Sequence, residues 1–462
     1  MALKEYLKNT ALADSVRYVY LTGKKYLAQF NLQNRRDFIA IAQQLESSQW
    51  WSTDQMAPYQ WDNIASLISH AHKTVPYYQT IFAREGIQPQ DIKTIADFNQ
   101  LPFLTKEDIK HNGDDLISRS YPKNKLIKKF TGGTTGAPVD FYEEKLTQVR
   151  EEAFSWRFWN WFGYKIGDRC AILRGNNLNK RHYYDPYRNN LVFPINDLHE
   201  NAIRRVVGEL CKFKPPYIQA YPSIAYLIAR YINQANINNK IDFVKVVFCA
   251  SEQLFNFQRK EIQQAFNSNV VQHYGHNEKA VLMQQCEHCE NLHIIPEYGY
   301  TEIIDDTGAA ITQPGQIGEI VGTGFNNYVF PFIRYRTGDY AMLSSNMCSC
   351  GRSFEEVREV QGRSGDYLTT PSGKKISSTV IEFAFDLIRR VREWQIIQHQ
   401  RDFIEIIMVP EAGYNKNSEK VIVTGLDKII KEKLEVKFIY TDHLPKPPSL
   451  KYRLVVSSDK LT

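Results

Sequence analysis

The sequence predicts an α/β protein, with a large N-terminal domain of mixed and parallel sheets, crossover helices and a β subdomain, and a small α+β C-terminal domain. Strand and helix patterns alternate between residues 169 and 250, which favours parallel strands joined by crossover helices. Turn signals recur between residues 292 and 343, which is typical of hairpins. A chain of 462 residues also exceeds the size at which one core keeps growing, so two domains are expected.

Helical spacing dominates the N-terminal part of the chain. Residues 1–48 carry apolar side chains at helical intervals, and a further helix should lead to Val75-Pro76, where proline ends it. Another helix is predicted from Lys145 to Phe162, closed by Gly163.

The alternating region then supplies the predicted parallel sheet. Its elements, in order, are strand Arg169–Leu173, helix Ile203–Lys212, strand Tyr217–Ala220, helix Ile224–Ala235 and the continuous apolar strand Val244–Ala250. A run that is apolar on both faces is typical of a buried central strand.

After the hairpins, a compact segment completes the chain. It reads as strand Phe403–Val409, helix Ser418–Lys433 and strand Val436–Tyr440. We therefore predict two domains, 1–365 and 366–462, and the glycines of Gly362-Arg-Ser-Gly-Asp366 supply freedom for a hinge between them.

Composition limits the classes of function. The 57 basic and 51 acidic residues are dispersed, without the like-charge run of a nucleic-acid tail, so no nucleic-acid partner is expected. No uncharged apolar run approaches the roughly 20 residues of a membrane span, and the N-terminus has no signal-peptide core. These patterns predict a cytoplasmic protein without a membrane span. Seven cysteines in such a chain argue against a disulfide framework.

The segment Phe130-Thr-Gly-Gly-Thr-Thr-Gly-Ala-Pro138 is the strongest single signal. Glycines let the backbone approach a ligand closely, and threonine hydroxyls add donors to the backbone N–H groups, so the loop suits a polyphosphate. It is not the common nucleoside-triphosphate loop, because Ala137-Pro138 stands where Lys-Ser or Lys-Thr is required.

Further motifs follow this loop in a fixed order: Tyr274-Gly-His-Asn-Glu278, Tyr335-Arg-Thr-Gly-Asp339, Gly362-Arg-Ser-Gly-Asp366 and Pro448-Ser-Leu-Lys451. Together they resemble the adenylate-forming (acyl-activating) enzyme superfamily. Val75-Pro-Tyr-Tyr78, Leu101-Pro-Phe-Leu-Thr-Lys106 and Tyr221-Pro-Ser223 resemble signatures of its phenylacetate–CoA ligase-like branch, which includes the CapK-type proteins associated with capsular polysaccharide synthesis.

The resemblance implies a two-domain adenylate-forming fold, ATP and Mg²⁺ at the site, and a carboxylic acid as substrate. It makes Lys451, Glu278 and Thr134 the candidate catalytic residues, with Glu278 on Mg²⁺ and Lys451 bridging the acid and the α-phosphate. The candidate nucleotide-binding residues are Thr131, Gly132, Gly133, Thr134, Thr135, Gly136, Ser251, Glu252, Tyr274, Gly275, Glu278, Asp339, Arg363 and Lys451. Tyr274 would stack on adenine, and Asp339 would accept the ribose hydroxyls. Ala137, His276, Asn277 and Leu450 depart from the usual pattern.

Two close thiol pairs predict a structural zinc site: Cys286-Glu-His-Cys289 and Cys348-Ser-Cys350. Each pair follows a nucleotide motif, so one ion could fix both motifs. Proximity favours Cys289 as the fourth ligand, and His293 is the alternative.

Acyl transfer to coenzyme A is the predicted second step, with an amine, a carrier thiol or a sugar as other acceptors. Two further hypotheses are adenylyl transfer to a hydroxyl group and a non-catalytic nucleotide-binding protein of a polysaccharide pathway. No motif encodes the acid. Trp156, Phe158, Trp159 and Tyr164 could line its pocket, although core packing is the more ordinary role of such aromatics.

Overall fold

The computed structural model describes residues 32–130, 139–174, 182–186, 188–194, 199–345, 348–363, 367–385, 391–444 and 452–457. Among these residues, no helix combines the length and the apolar character needed to cross a membrane.

The helices begin and end near the predicted positions. The α-helices are α1 Leu32–Ser48, α2 Thr53–Thr74, α3 Pro76–Glu85, α4 Ile95–Phe98, α5 Lys106–Asn112, α6 Lys145–Trp161, α7 Glu200–Phe213, α8 Pro222–Gln234, α9 Asn256–Phe266, α10 Ser378–Ile381 and α11 Asn417–Ile430.

The strands are β1 Ile127–Phe130, β2 Asp140–Glu143, β3 Cys170–Arg174, β4 Tyr183–Asp185, β5 Asn190–Pro194, β6 Tyr217–Ala220, β7 Val246–Ala250, β8 Asn269–Gly275, β9 Leu282–Gln285, β10 Leu292–Ile294, β11 Gly299–Ile304, β12 Ile317–Gly324, β13 Tyr335–Leu343, β14 Glu356–Arg363, β15 Tyr367–Thr369, β16 Lys375–Ser377, β17 Val391–Gln400, β18 Phe403–Pro410, β19 Glu435–Tyr440 and β20 Val455–Ser457.

The predicted parallel region is confirmed. Strands β5, β3, β6, β7 and β8 are neighbours in one sheet, and each adjacent pair is parallel. Helix α7 shows why the chain folds this way: Ile203, Val206, Val207 and Leu210 recur at helical spacing and are buried against the sheet. Strand β6 is buried along its whole length, as the apolar pattern requires.

The hairpin region differs from the prediction in one respect. Strand β8 pairs antiparallel with β9, so the hairpins extend the parallel region into a single sheet of 12 strands. The order across this sheet is β11-β12-β13-β14-β10-β9-β8-β7-β6-β3-β5-β4. Because the edge of a sheet offers unpaired backbone groups, the hairpins add to it and do not form a separate layer.

The C-terminal segment has its own sheet, in the order β19-β18-β17-β20. Helix α11 packs on it through Ile422, Leu426 and Ile430, which belong to an apolar cluster distinct from that of the large sheet. Contacts with the N-terminal part are both polar and apolar. The Arg230 guanidinium pairs with Glu411, and the backbone N–H of Asn256 donates to the Glu382 carboxylate. The rings of Phe255 and Phe257 pack against the C-terminal cluster.

Candidate active site

A cavity of about 620 Å³ opens at the carboxyl ends of the parallel strands. Arg174 of β3, Ala250 of β7 and Tyr274 of β8 line it, together with Asp339 of β13 and Tyr452. Open α/β sheets bind their ligands at this edge. The cavity is therefore bounded by the large sheet and by the C-terminal segment, and it contains several of the predicted site residues.

Tyr274 and Asp339 are joined directly. The Tyr274 hydroxyl donates a hydrogen bond of 2.8 Å to Oδ2 of Asp339, although the two residues lie on strands separated in the sheet by β9, β10 and β14. Burial, with the negative charge of Asp339 adding to it, raises the pKa of Tyr274 well above its ordinary value. The phenol is thus a neutral donor that orients the carboxylate.

Glu278 is buried and ionised. Its Oε1 accepts a hydrogen bond of 3.2 Å from the Tyr335 hydroxyl, and its Oε2 lies 3.2 Å from Nδ1 of His276. Burial opposes the charged carboxylate, yet the hydrogen bond and charge of His276, with the Tyr335 contact, hold the pKa of Glu278 below its usual range. Because carboxylate oxygens are preferred Mg²⁺ ligands, this side chain fits the metal role that the resemblance implies.

Asn277 ties the Glu278 turn to the strand that precedes the Gly/Thr loop. Its amide Nδ2 donates to the carbonyl oxygen of Phe130 at 3.2 Å, and Phe130 is the last residue of β1. The sequence marked Asn277 only as a departure from the family pattern. Its contact shows that the start of the loop lies beside the Glu278 turn.

Glu252 connects the large sheet with the C-terminal segment. Its carboxylate accepts hydrogen bonds from the backbone N–H and hydroxyl of Ser223, at 3.0 and 3.1 Å, and from the backbone N–H of Tyr452, at 3.0 Å. Ser251, which precedes it, has a φ of 72°, a conformation that L residues seldom adopt. Glu252 therefore anchors the residue that directly follows Lys451 in the chain.

Other predicted site residues lie outside the described residues, namely Thr131, Gly132, Gly133, Thr134, Thr135, Gly136, Asp366 and Lys451. The backbone of Arg363 pairs opposite Asp339 between β14 and β13. Gly275 lines the cavity at the end of β8.

The two thiol pairs meet beside the sheet. Cys286 follows β9, His293 lies on β10, and Cys348 and Cys350 precede β14; these strands are adjacent. Sγ of Cys286 lies 3.4 Å from Sγ of Cys348 and 3.6 Å from Sγ of Cys289, and Sγ of Cys350 lies 3.6 Å from Nε2 of His293.

These distances match a tetrahedral zinc site. Zn–S bonds of about 2.3 Å and Zn–N bonds of about 2.0–2.1 Å give edges of roughly 3.8 Å between sulfurs and roughly 3.6 Å between sulfur and nitrogen. Cys286, His293, Cys348 and Cys350 form one group with mutually close ligand atoms, and Cys289, His293, Cys348 and Glu356 form another. His293 belongs to both groups and Cys289 to one, so the geometry favours His293, the residue that the sequence ranked second.

The far end of the cavity holds residues that the sequence did not single out. Arg174, Gln219 and His273 line it, beside the aromatic side chains of Trp156, Phe158, Trp159 and Tyr164. A parallel strand that ends in arginine was the available signal, but many strands end in a solvated charge. The aromatic residues contribute both to the core and to the wall of the cavity, since Phe158 and Tyr164 are also buried in an apolar cluster.

Comparison with known proteins gives consistent results. The model of the CapK C-terminal domain matches residues 368–458. The chain is 26% identical to Protein CapK of Staphylococcus aureus over 412 residues, which cover 85% of this chain and 87% of that protein. It is 25% identical to phenylacetate-coenzyme A ligase of Pseudomonas putida over 398 residues, covering 82% and 88%.

The chain is thus similar to CapK and to phenylacetate-CoA ligases over most of its length. Its fold is that of an adenylate-forming ligase. The crystal structure of 2-hydroxyisobutyryl-CoA ligase in the postadenylation state, in complex with 2-HIB-AMP, superposes with a TM-score of 0.73 at 17% identity, covering 90% of this chain and 92% of that one.

Proposed function

We propose that this ligase activates a carboxylic acid as its acyl-adenylate and then transfers the acyl group, with coenzyme A as the acceptor. The observation that carries the proposal is the placement of Tyr274, Glu278 and Asp339 in one cavity at the carboxyl edge of the sheet. The phenylacetate-coenzyme A ligases among its relatives support the choice of acceptor.

In the first step, a carboxylate oxygen of the acid attacks the α-phosphorus of ATP and pyrophosphate leaves. In the second step, the thiolate of coenzyme A attacks the acyl carbonyl carbon and AMP leaves. Both steps bring anions together, so the protein contributes chiefly by positioning and by electrostatic stabilisation.

Each described residue has a defined task in this scheme. Asp339, oriented by the Tyr274 hydroxyl, would accept the two ribose hydroxyls. Glu278 would hold Mg²⁺, which supplies charge neutralisation at the phosphates when bound. Glu252 fixes the backbone of Tyr452 next to the cavity. The Gly132–Gly136 loop and Lys451 stay predictions from the motifs, as does the use of Asp366 as a hinge.

The decisive experiment is an acid panel that reads pyrophosphate release with and without coenzyme A. We expect release that depends on the acid, and an acyl thioester when coenzyme A is present. Release without any acid would instead indicate adenylyl transfer to a hydroxyl group. Failure of every acid would favour the non-catalytic hypothesis.

Lys451→Ala is expected to abolish adenylation while ATP binding persists; unchanged turnover would remove Lys451 from the mechanism.

We also propose that Cys286, His293, Cys348 and Cys350 hold one structural zinc ion. The carboxylate of Glu356 lies 3.9 Å from Nδ1 of His293, beyond hydrogen-bonding distance, and would have to move closer to orient the imidazole as partners of zinc-binding histidines usually do. An ion at this point would fix β9, β10 and the segment before β14 relative to one another. It would thereby fix the part of the sheet that lines the cavity.

Metal analysis of the purified protein tests the zinc assignment. We expect about one zinc per chain, lost in Cys348→Ser. The matched variants Cys289→Ser and His293→Gln test which residue is the fourth ligand beside Cys286, Cys348 and Cys350, because only His293→Gln should lose the metal. Retention in His293→Gln with loss in Cys289→Ser would restore Cys289 as the fourth ligand.

A further inference from the structure

The far wall of the cavity is built from one face of the parallel strands. Ile172 of β3 pairs in register with Gln219 of β6, which pairs with Phe248 of β7. Side chains alternate along a strand, so Arg174, two residues after Ile172, shares this face. The same alternation places His273 on it, two residues after Val271. Arg174, Gln219 and His273 thus form a polar rim beside an aromatic floor, to which Trp156, Phe158 and Trp159 contribute.

Several buried polar atoms around this floor have no hydrogen-bond partner among the described residues. Among the described residues, buried atoms without a hydrogen bond include Nε1 of Trp156 and Trp159, Oδ1 of Asn190, Nδ1 of His273 and Oε1 of Gln284. All five residues line the cavity. A buried polar atom left unpaired is destabilising, and folded proteins pair the great majority of them. These five atoms are themselves nearly inaccessible, so they make the surroundings of the cavity polar without facing its open space.

Arg174 supplies a positive charge to this rim. Its Nη2 donates to Oε1 of Gln219 at 2.8 Å, and the other groups of the described chain that act on it are Tyr221, Cys170 and Arg188, none of which is a carboxylate. The Arg188 guanidinium, by contrast, already pairs with Glu152 at 2.6 Å. Arg174 lines the cavity and its side chain is exposed there. Since no carboxylate of the described residues pairs with it, its guanidinium is available to an anionic ligand.

We propose that the acid activated by this enzyme carries a second anionic group, remote from the carboxylate that reacts, and that Arg174 binds that group. The inference rests on the proposed function. A planar guanidinium binds a carboxylate through paired, charge-assisted hydrogen bonds, and the aromatic floor would hold the body of the substrate. A site that places buried donors on a substrate group rejects analogues lacking that group. The substrate class is thus a dicarboxylic acid, or an aryl acid with an anionic substituent.

The test uses matched acids in the pyrophosphate-release assay with the full-length enzyme. Each set contains a monoacid, the corresponding diacid and its half ester: phenylacetate, 4-carboxyphenylacetate and the 4-methyl ester; and hexanoate, adipate and monomethyl adipate. We expect the wild type to prefer one of the diacids at least about 10-fold in kcat/KM over its half ester.

Arg174→Met should lower kcat/KM for the diacid roughly 10- to 100-fold, as loss of one charge-assisted contact predicts, with little change for the monoacid. Arg174→Lys, which keeps the charge, should fall between. Arg169→Met is the matched control, because Arg169 precedes the same strand at its opposite end and donates to the Phe213 carbonyl oxygen outside the cavity. It should leave the selectivity unchanged.

The outcomes separate the two proposals. Equal loss for monoacids and diacids would place Arg174 on the reacting carboxylate, and a raised KM for ATP would place it on the nucleotide; either result overturns the inference alone. A wild type that prefers monoacids also overturns it. If no acid releases pyrophosphate, the proposed function fails. Calorimetric binding of diacid against half ester, with a non-hydrolysable ATP analogue, then decides the inference by itself.

Discussion

The two ends of the cavity differ in what their charged groups contact. At the proposed nucleotide end, the carboxylate of Asp339 accepts from Tyr274, and that of Glu278 accepts from Tyr335 and lies beside His276. At the far end, the Arg174 guanidinium donates to the neutral amide of Gln219, and no carboxylate of the described residues pairs with it. A shared ligand such as ATP permits a site whose groups are already oriented before binding. Groups that bind a ligand specific to one enzyme can instead lack a charged protein partner until that ligand binds.

This difference teaches where the motifs of a family stop being informative. Residues that orient one another must occur together, and so they recur as short patterns at fixed spacing. Residues whose main partner is the ligand need only line the same cavity. They come from strands far apart in the chain, and no spacing connects them.

The largest effect is expected from Glu278→Gln, which removes the negative charge but keeps the shape of the side chain. We expect kcat for pyrophosphate release to fall about 100-fold or more, because an electrostatic group at the phosphates is lost. Glu107→Gln, on exposed helix α5, is the control and should retain full activity. Activity within a few-fold of wild type in Glu278→Gln would show that the nucleotide end is not organised around this carboxylate.

Asp339→Asn should raise the KM for ATP roughly 10- to 100-fold, since a neutral amide replaces the charged acceptor of the ribose hydroxyls. Tyr274→Phe sharpens the comparison. It removes the 2.8 Å hydrogen bond to Asp339 but leaves the carboxylate, so a smaller increase is expected. If Tyr274→Phe were as damaging as Asp339→Asn, the phenol would act on the ligand itself and not by orienting Asp339.

A smaller effect, on stability, is expected at the far end. Burial, with the charge of Arg174 adding to it, lowers the pKa of His273 from 6.5 to about 4. The unfolded chain therefore takes up a proton near pH 6.5, whereas the folded protein does so only near pH 4. Stability should fall as the pH is lowered through this window, by about 2 kcal/mol at pH 5.

Denaturant unfolding at pH 7 and pH 5 measures this decline in the free energy of unfolding. His273→Gln should reduce it, whereas His443→Gln, at an exposed position, should not. An identical decline in wild type and His273→Gln would mean that the imidazole is not held neutral in the folded protein.

The course of the chain was largely predictable from periodicity. Strand β6 has the predicted bounds, and helix α8 differs by two residues at its start and one at its end, because proline begins it at Pro222. The joining of the hairpins to the parallel strands was not predictable. It depends on the antiparallel pairing of β8 with β9, and strand periodicity carries no information about which edge a hairpin meets.

The candidate site divides in the same way. Glu278, Tyr274 and Asp339 were found from motifs, whereas Arg174 and Gln219 were not, because 45 positions separate the two members of that hydrogen bond in the chain. The proposed zinc ligands are an intermediate case. Their spacing predicted a site, whereas the proposal of His293 as a ligand depends on the pairing of β10 between β9 and β14.

The sequence by itself determined the order of the elements, the family resemblance and the proposed nucleotide end of the site, since all three follow from local periodicity or from short motifs. The tertiary structure decided how the hairpins join the sheet and which side chains face the far end of the cavity. Those choices depend on contacts between residues distant in the chain, whose free energy is realised only when the strands have paired.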